Sequence, residues 1–198
     1  QLASGGGWKT TMVLLNVGTT PANVKVNFAQ DDGTPMSLPF VITQQGASVT
    51  VVGTTIERSI PANTTLLIES EAPGTVTHVG WADVRSSSTI SGYAIFRQRG
   101  GDGRDSEGTS ILENRVVSSI ILPYDNTGGF ITGIALSNLN ATGAASLTAS
   151  IRDDNGTEVA RDTITIPANG HTSCAVSDRL PATAGKRGAE AQAAYAAA

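Results

Sequence analysis

Residues 8–34, WKTTMVLLNVGTTPANVKVNFAQDDGT, are written a second time at residues 130–157, FITGIALSNLNATGAASLTASIRDDNGT. Trp8 aligns with Phe130, Thr10 with Thr132, Leu14 with Leu136 and Asn16 with Asn138. One added residue then brings Asp31, Gly33 and Thr34 onto Asp154, Gly156 and Thr157. Further on, Ile60-Pro61-Ala62-Asn63 recurs as Ile166-Pro167-Ala168-Asn169. A repeat at this spacing marks two copies of one structural unit.

Inside the first copy the even positions Trp8, Thr10, Met12 and Leu14 form one face of a strand, and the odd positions form the other. Val24, Val26 and Phe28 alternate with Asn23, Lys25 and Asn27, the pattern of a half-buried strand. Asp31-Asp32-Gly33 then supplies a hairpin turn. Strands follow at residues 56–60 and 64–69, with residues 35–39 and 41–52 as an inserted strand or excursion. A hairpin of residues 76–85 and 89–99, with Ser86-Ser87-Ser88 at its tip, completes the copy. In the second copy the corresponding strands are expected at residues 115–122, from 130, 146–152, 159–166 and 172–176, with a helical turn near residues 178–180. Residues 101–114, polar and rich in glycine, read as a linker.

The second copy stops short. It ends AEAQAAYAAA, where alanine favours helix but the place in the repeat asks for a strand. The first copy in turn lacks a counterpart of residues 115–122, which would lie before Gln1. The absence of an initiating Met and of a signal peptide reads as a mature or trimmed chain.

Composition narrows the function. A formal net charge of −4 offers no basic field for nucleic acid. No apolar run approaches the roughly 18 residues of a membrane span. The sole cysteine, Cys174, excludes an internal disulfide framework and reads as a small buried hydrophobe. Asp31-Asp32-Gly33 and Asp153-Asp154-Asn155-Gly156 read as turns, without the spacing of a calcium loop; Asp102, Asp105 and Glu107 read as a solvated loop. His78 and His171 have no second ligand at metal spacing. No nucleophile elbow or phosphate loop is present. The expectation is no catalytic, cofactor or metal residue, hence not an enzyme. Asn63-Thr64-Thr65, Asn140-Ala141-Thr142 and Asn155-Gly156-Thr157 match the glycosylation pattern, as a Thr- and Asn-rich chain does by chance. Trp8, Trp81, Tyr93 and Tyr124 are the candidate aromatic face for carbohydrate, with core packing as the competing reading.

The phrases SGGGWKTT, DDGTPMSLP, SGYAIFRQR, LPYDNTGGFITGIALSN, IPANGHTS and DRLPATAGKRG resemble the recurring β-sandwich modules of exported bacterial surface proteins. The resemblance implies an extracellular or cell-surface, non-enzymatic, immunoglobulin-like architecture. After Gly188 the pattern departs, with alanines where a further strand pair is expected.

The expected fold is therefore all-β: two tandem antiparallel immunoglobulin-like β-sandwich domains, residues 1–100 and 115–198, the second short of a complete repeat. The expected role is a structural or adhesive surface protein, extending to the repeating subunit of a filament joined by strand sharing. The alternative is a carbohydrate-binding or accessory module of a larger secreted protein. The expected partners are other copies of the chain or other domains of the same exported protein. Sandwiches with an unfinished border leave an edge that a neighbour's strand fills. The candidate strand-exchange residues are Gln1, Leu2, Ala3, Ala189, Ala191, Ala193 and Tyr195.

Overall fold

Alternating β-branched and polar residues, cut by glycine, asparagine and aspartate turns, produce antiparallel strands throughout. The computed structural model describes residues 1–101, 103–113 and 118–196, with side chains through residue 189. The chain falls into two compact units, Gln1–Gln30 with Thr34–Asn114, and Asp31–Gly33 with Arg115–Ala198.

The first unit contains β1 (Leu2–Ser4), β2 (Trp8–Asn16), β3 (Ala22–Gln30), β4 (Leu38–Gln44), β5 (Ala47–Gly53), β6 (Thr55–Ile60), β7 (Thr65–Ser70), β8 (His78–Ser86), β9 (Ile90–Arg99) and β10 (Asp105–Ile111). They form two sheets in the orders β1-β8-β3-β6 and β10-β9-β2-β7-β4-β5. Period-two alternation gives each sheet one apolar face, and the two faces share a core. Val24, Val26, Phe28, Ile56 and Ile60 come from the first sheet; Met12, Leu14, Phe40, Ile42, Leu66 and Ile68 come from the second. Phe28 and Phe40 stack across the layers with ring centroids 4.1 Å apart. Each such fully buried side chain contributes about 1.5–3 kcal/mol, so the layers are held by their facing residues. This is a β-sandwich-like arrangement.

The second unit contains β11 (Ser119–Asp125), β12 (Gly133–Ser137), β13 (Ala145–Asp153), β14 (Glu158–Ile166), β15 (His171–Ala175), α1 (Val176–Arg179), a 3-10 turn (Pro181–Thr183) and β16 (Arg187–Ala196). Its sheets are β11-β16-β13-β14 and the two-stranded β12-β15. Tyr124, Ala149, Ile151, Ile164 and Ile166 form its core, with Leu136 and Leu147 packed against them. The sheet order repeats that of the first unit: β1, β8, β3 and β6 correspond to β11, β16, β13 and β14.

Several expectations are corrected. Residues 101–114 are not simply a linker, because Asp105–Ile111 is a strand laid against β9 in register Asp105↔Arg99 to Ile111↔Tyr93. All of its residues are exposed, so no apolar alternation announced it. Residues 76–99 are not a hairpin. β8 lies between β1 and β3 while β9 lies between β10 and β2, so the three serines carry the chain from one sheet to the other; each strand has its own apolar face to bury. The inserted residues 38–53 form the hairpin β4-β5, closed by Gln45 and Gly46 at φ 50° and 79°, as a type I′ turn requires. The alanine-rich end is a strand, paired on one side with β11 and on the other with β13; two ladders override helix propensity. The strand equivalent to β11 is β1, within the chain. Of the strand expected at residues 115–122, residues 115–117 lie outside the described residues, as does Asp102.

Candidate functional site

Each unit carries the same set of polar contacts, and these fix which strand of one corresponds to which strand of the other. The Thr10 hydroxyl donates to the Ala3 carbonyl at 2.7 Å and accepts from the Ala3 amide at 2.9 Å. Thr132 does the same with Asp125, at 3.0 Å and 2.8 Å. Each threonine pins the first strand of its unit to the second across the turn between them. That turn carries Gly6 and Gly7 at φ 57° and 88° in one copy, and Gly128 and Gly129 at 59° and 89° in the other, values that favour glycine.

The asparagines repeat the same logic. Asn16 donates through Nδ2 to the carbonyls of Ile60 and Thr20, both at 2.8 Å, and accepts the Gly18 amide at 2.9 Å. Asn138 donates to Gly143 and Pro167 at 2.8 Å and 2.9 Å, and accepts the Asn140 amide at 3.0 Å. Asn63 and Asn169 take φ 56° and 52° at the same point of the two Pro-Ala-Asn turns; left-handed backbone is tolerated best by asparagine among non-glycine residues.

This correspondence exposes one difference. β2 is flanked by β7 on one side and by β9 on the other, the latter in register Trp8↔Gln98 to Asn16↔Ile90. Its equivalent β12 is flanked by β15 alone, in register Gly133↔Ala175 to Ser137↔His171. Among the described residues no strand occupies the outer side of β12, or the side of β15 that β4 takes against β7. In an antiparallel strand alternate N–H and C=O groups face each way, so among the described residues the outward backbone groups of β12 have no strand partner. The side chains register the same loss. Met12 and Leu14 are 4% and 2% exposed, whereas their counterparts Ile134 and Leu136 are only half-buried. Phe130 and Ile131, just before β12, are 70% and 71% exposed. The exposed edge strand β10, with β9 on one side and no strand on the other among the described residues, is the candidate site for strand addition.

The candidate strand-exchange residues are placed elsewhere. Leu2 and Ala3 belong to β1, paired with Gly80 and Val79 of β8, with Gln1 just before them. Ala189, Ala191, Ala193 and Tyr195 lie in β16, between two neighbours of the same unit. Within the chain, β1 is therefore paired on one side and β16 on both. The candidate aromatics do not make a platform. Trp81 is buried in the first unit, Tyr124 is buried in the core of the second, Trp8 is half-buried and Tyr93 is exposed. Only Tyr93 of these four is exposed, so they offer a sugar no pair of exposed rings to stack on.

The ionisable groups serve turns and strand surfaces. Asp153 accepts the amides of Asn155 and Thr157 at 3.0 Å and 2.9 Å, closing its turn. Asp125 accepts the Thr127 hydroxyl and amide at 2.6 Å and 2.8 Å, and these bonds hold its carboxyl below the ordinary range. Glu107 pairs with Arg97 at 2.6 Å. Burial pushes the His171 imidazole below its usual value, and burial raises the Tyr124 phenol. Among the described residues no three His, Cys, Asp or Glu side chains stand together as a metal site, and no helix is long and apolar enough to cross a membrane.

No family model, curated protein or solved structure matches the chain.

Proposed function

We propose that the chain is a non-enzymatic extracellular structural or adhesive protein, built of two tandem immunoglobulin-like β-sandwich modules and joined to its neighbours by strand addition. The observation that supports this reading is an exposed sheet edge: β10 has β9 on one side and, among the described residues, no strand on the other. The same hydroxyl and amide contacts wire both units. An uncovered edge is a template for another chain, and β-addition supplies main-chain hydrogen bonds without a deep cleft. Contacts of this head-to-tail kind do not close on themselves and extend into fibres. The scarcity of charge, 15% of residues, favours such close lateral approach, since few ionic groups have to be desolvated.

The test is the mass of the purified chain over a wide concentration range by light scattering, together with negative-stain imaging. Mass rising with concentration, and end-to-end particles, are expected. A strict monomer at every concentration refutes joining by strand addition between copies.

A further inference from the structure

We infer that β5 (Ala47–Gly53) is a two-fold docking strand: it pairs antiparallel with β5 of a second copy of this chain, in the register that sets Thr50 against Thr50. The contact is separate from strand addition at β10, since it uses another edge, admits a single occupant and closes on itself.

The two sheets of the first unit end in β1, β6, β10 and β5. Sheet edges are ordinarily guarded by shortness, charge or proline. β1 has three residues, β6 carries Glu57 and Arg58, and β10 carries Asp105 and Glu107. β5, ASVTVVG, runs for seven residues with no charge and no proline. Its Val49 and Val52 are 50% and 70% exposed. It is the second arm of the β4-β5 hairpin, and β6 to β10 of the same unit follow it, so its outer side belongs to the hairpin itself.

The hairpin fixes which backbone groups point outward. Gln45 and Gly46 form a two-residue loop with positive φ at both positions, so the flanking pair Gln44↔Ala47 is a hydrogen-bonded one. Bonded and non-bonded pairs alternate from there. The N–H and C=O groups of Ala47, Val49, Val51 and Gly53 are therefore spent on β4, opposite Gln44, Ile42, Phe40 and Leu38. Those of Ser48, Thr50 and Val52 point away from β4, where no described strand lies.

The even spacing of these three residues about Thr50 makes a second copy the occupant. An antiparallel copy centred there sets Thr50 opposite Thr50, and Ser48 opposite Val52 on either side. Every one of these pairs aims its groups across the junction, so each exchanges two main-chain hydrogen bonds. The side chains agree. Directly opposed residues share a face, so Val49 meets Val51 of the second copy on the face that Phe40 and Ile42 bury. Val51 already packs against that core, and Val49 gains an apolar neighbour. A register shifted by two residues is poorer. It sets Val52 against the Gly46 turn, or Ser48 against Thr54, whose carbonyl already accepts the Phe28 amide. Two-fold pairing uses the same patch on both copies and leaves neither β5 edge open.

The experiment uses the full 198-residue chain. Sedimentation equilibrium should show the parent passing from monomer to dimer as concentration rises. Over the same range the amides of Ser48, Thr50 and Val52 should gain protection from hydrogen exchange, while those of Val49 and Val51, bonded to β4, are protected throughout. Thr50→Lys and Thr50→Glu each place like charges face to face on the two-fold axis, and each chain alone should associate roughly tenfold or more weakly. An equimolar mixture of T50K and T50E should recover association, because the opposed charges then attract; misfolded variants could not do this. A parent that is monomeric at every concentration, a dimer without the alternating protection, T50K associating as the parent does, or a mixture no better than its components overturns the inference. The two edges fail separately. End-to-end growth that T50K leaves unchanged belongs to β10 and overturns only the β5 contact, whereas association that halts at two copies and is lost in T50K keeps β5 and removes growth into fibres.

Discussion

Replacing Thr10 by valine keeps the shape of the side chain and removes only the hydroxyl. In the folded chain that hydroxyl is both acceptor for the Ala3 amide and donor to the Ala3 carbonyl, at 2.9 Å and 2.7 Å. Thr10 is wholly buried and Ala3 is 4% exposed, so water cannot stand in for the lost oxygen without opening the site. Each buried backbone group left without a partner costs about 1–3 kcal/mol, giving roughly 2–6 kcal/mol for the pair. Against the 5–15 kcal/mol or so by which domains are ordinarily stable, that is a large fraction. The chain has a cheaper escape, release of β1, which pairs with β8 over three residues only. T10V should therefore lower the denaturation midpoint of the first unit and, more sharply, raise the exchange rate of the Ala3 amide. T10S retains the oxygen and should cost about 1 kcal/mol, the value of one methyl group. T132V removes the equivalent contact to Asp125, but both partners there are only half-buried, so its effect should be the smaller of the two. A T10V midpoint within 0.5 kcal/mol of the parent, with Ala3 still protected, would show that the hydroxyl does not hold β1.

Asn16→Ala removes three hydrogen bonds at a fully buried site, and should destabilise by about 2–4 kcal/mol in urea unfolding. Asn138→Ala should act in the same sense on the second unit, and an effect confined to one copy would contradict their equivalence. The Arg161 guanidinium and the Ser150 hydroxyl hold the Glu158 carboxyl at about 2 instead of 4.5. Because the folded value is depressed, the stabilisation is present above the ordinary carboxylate range and is lost as pH falls from about 4.5 toward about 2. An NMR titration of Glu158 should show the low midpoint, with R161A returning it toward the ordinary value; an unchanged midpoint in R161A would remove the assigned cause. Gly80→Ala places a Cβ against the Ala29 carbonyl oxygen, where β8 crosses β3. The resulting displacement should cost about 1–3 kcal/mol by thermal or chemical unfolding.

What the sequence disclosed is what local pattern can carry. Val24, Val26 and Phe28 in β3, and Ala149 and Ile151 in β13, are buried as their alternation implies, because a strand with one wet face writes its burial at period two. The Asp153 turn was legible because its aspartate spends its oxygens on its own amides. β1 was not, since three residues beside a glycine run have no period. A hydroxyl seven residues away and a strand far along the chain hold it in place. β10 faces solvent on both sides and so carries no apolar signal. β16 was ambiguous because alanine's preference is settled by neighbours, and those neighbours, β11 and β13, are remote in sequence. The same blindness to partners turned the β8-to-β9 crossing into an expected hairpin. It also assigned the unfinished border to Gln1–Ala3 and Ala189–Tyr195, whereas Leu2–Ser4 pairs with β8 and β16 lies between β11 and β13.

The register that sets Trp8 against Gln98 ties one end of the first unit to the other, so this ladder can close only after nearly all of that unit has been made. Loop-closure entropy opposes such a pairing until the intervening strands have collapsed. A nascent chain consequently passes through a stage in which β2 lacks its β9 neighbour. Any segment able to pair with β2 competes, during synthesis, with the chain's own β9. Speed of completion, as much as affinity, then decides whether two molecules leave the ribosome separate or entangled.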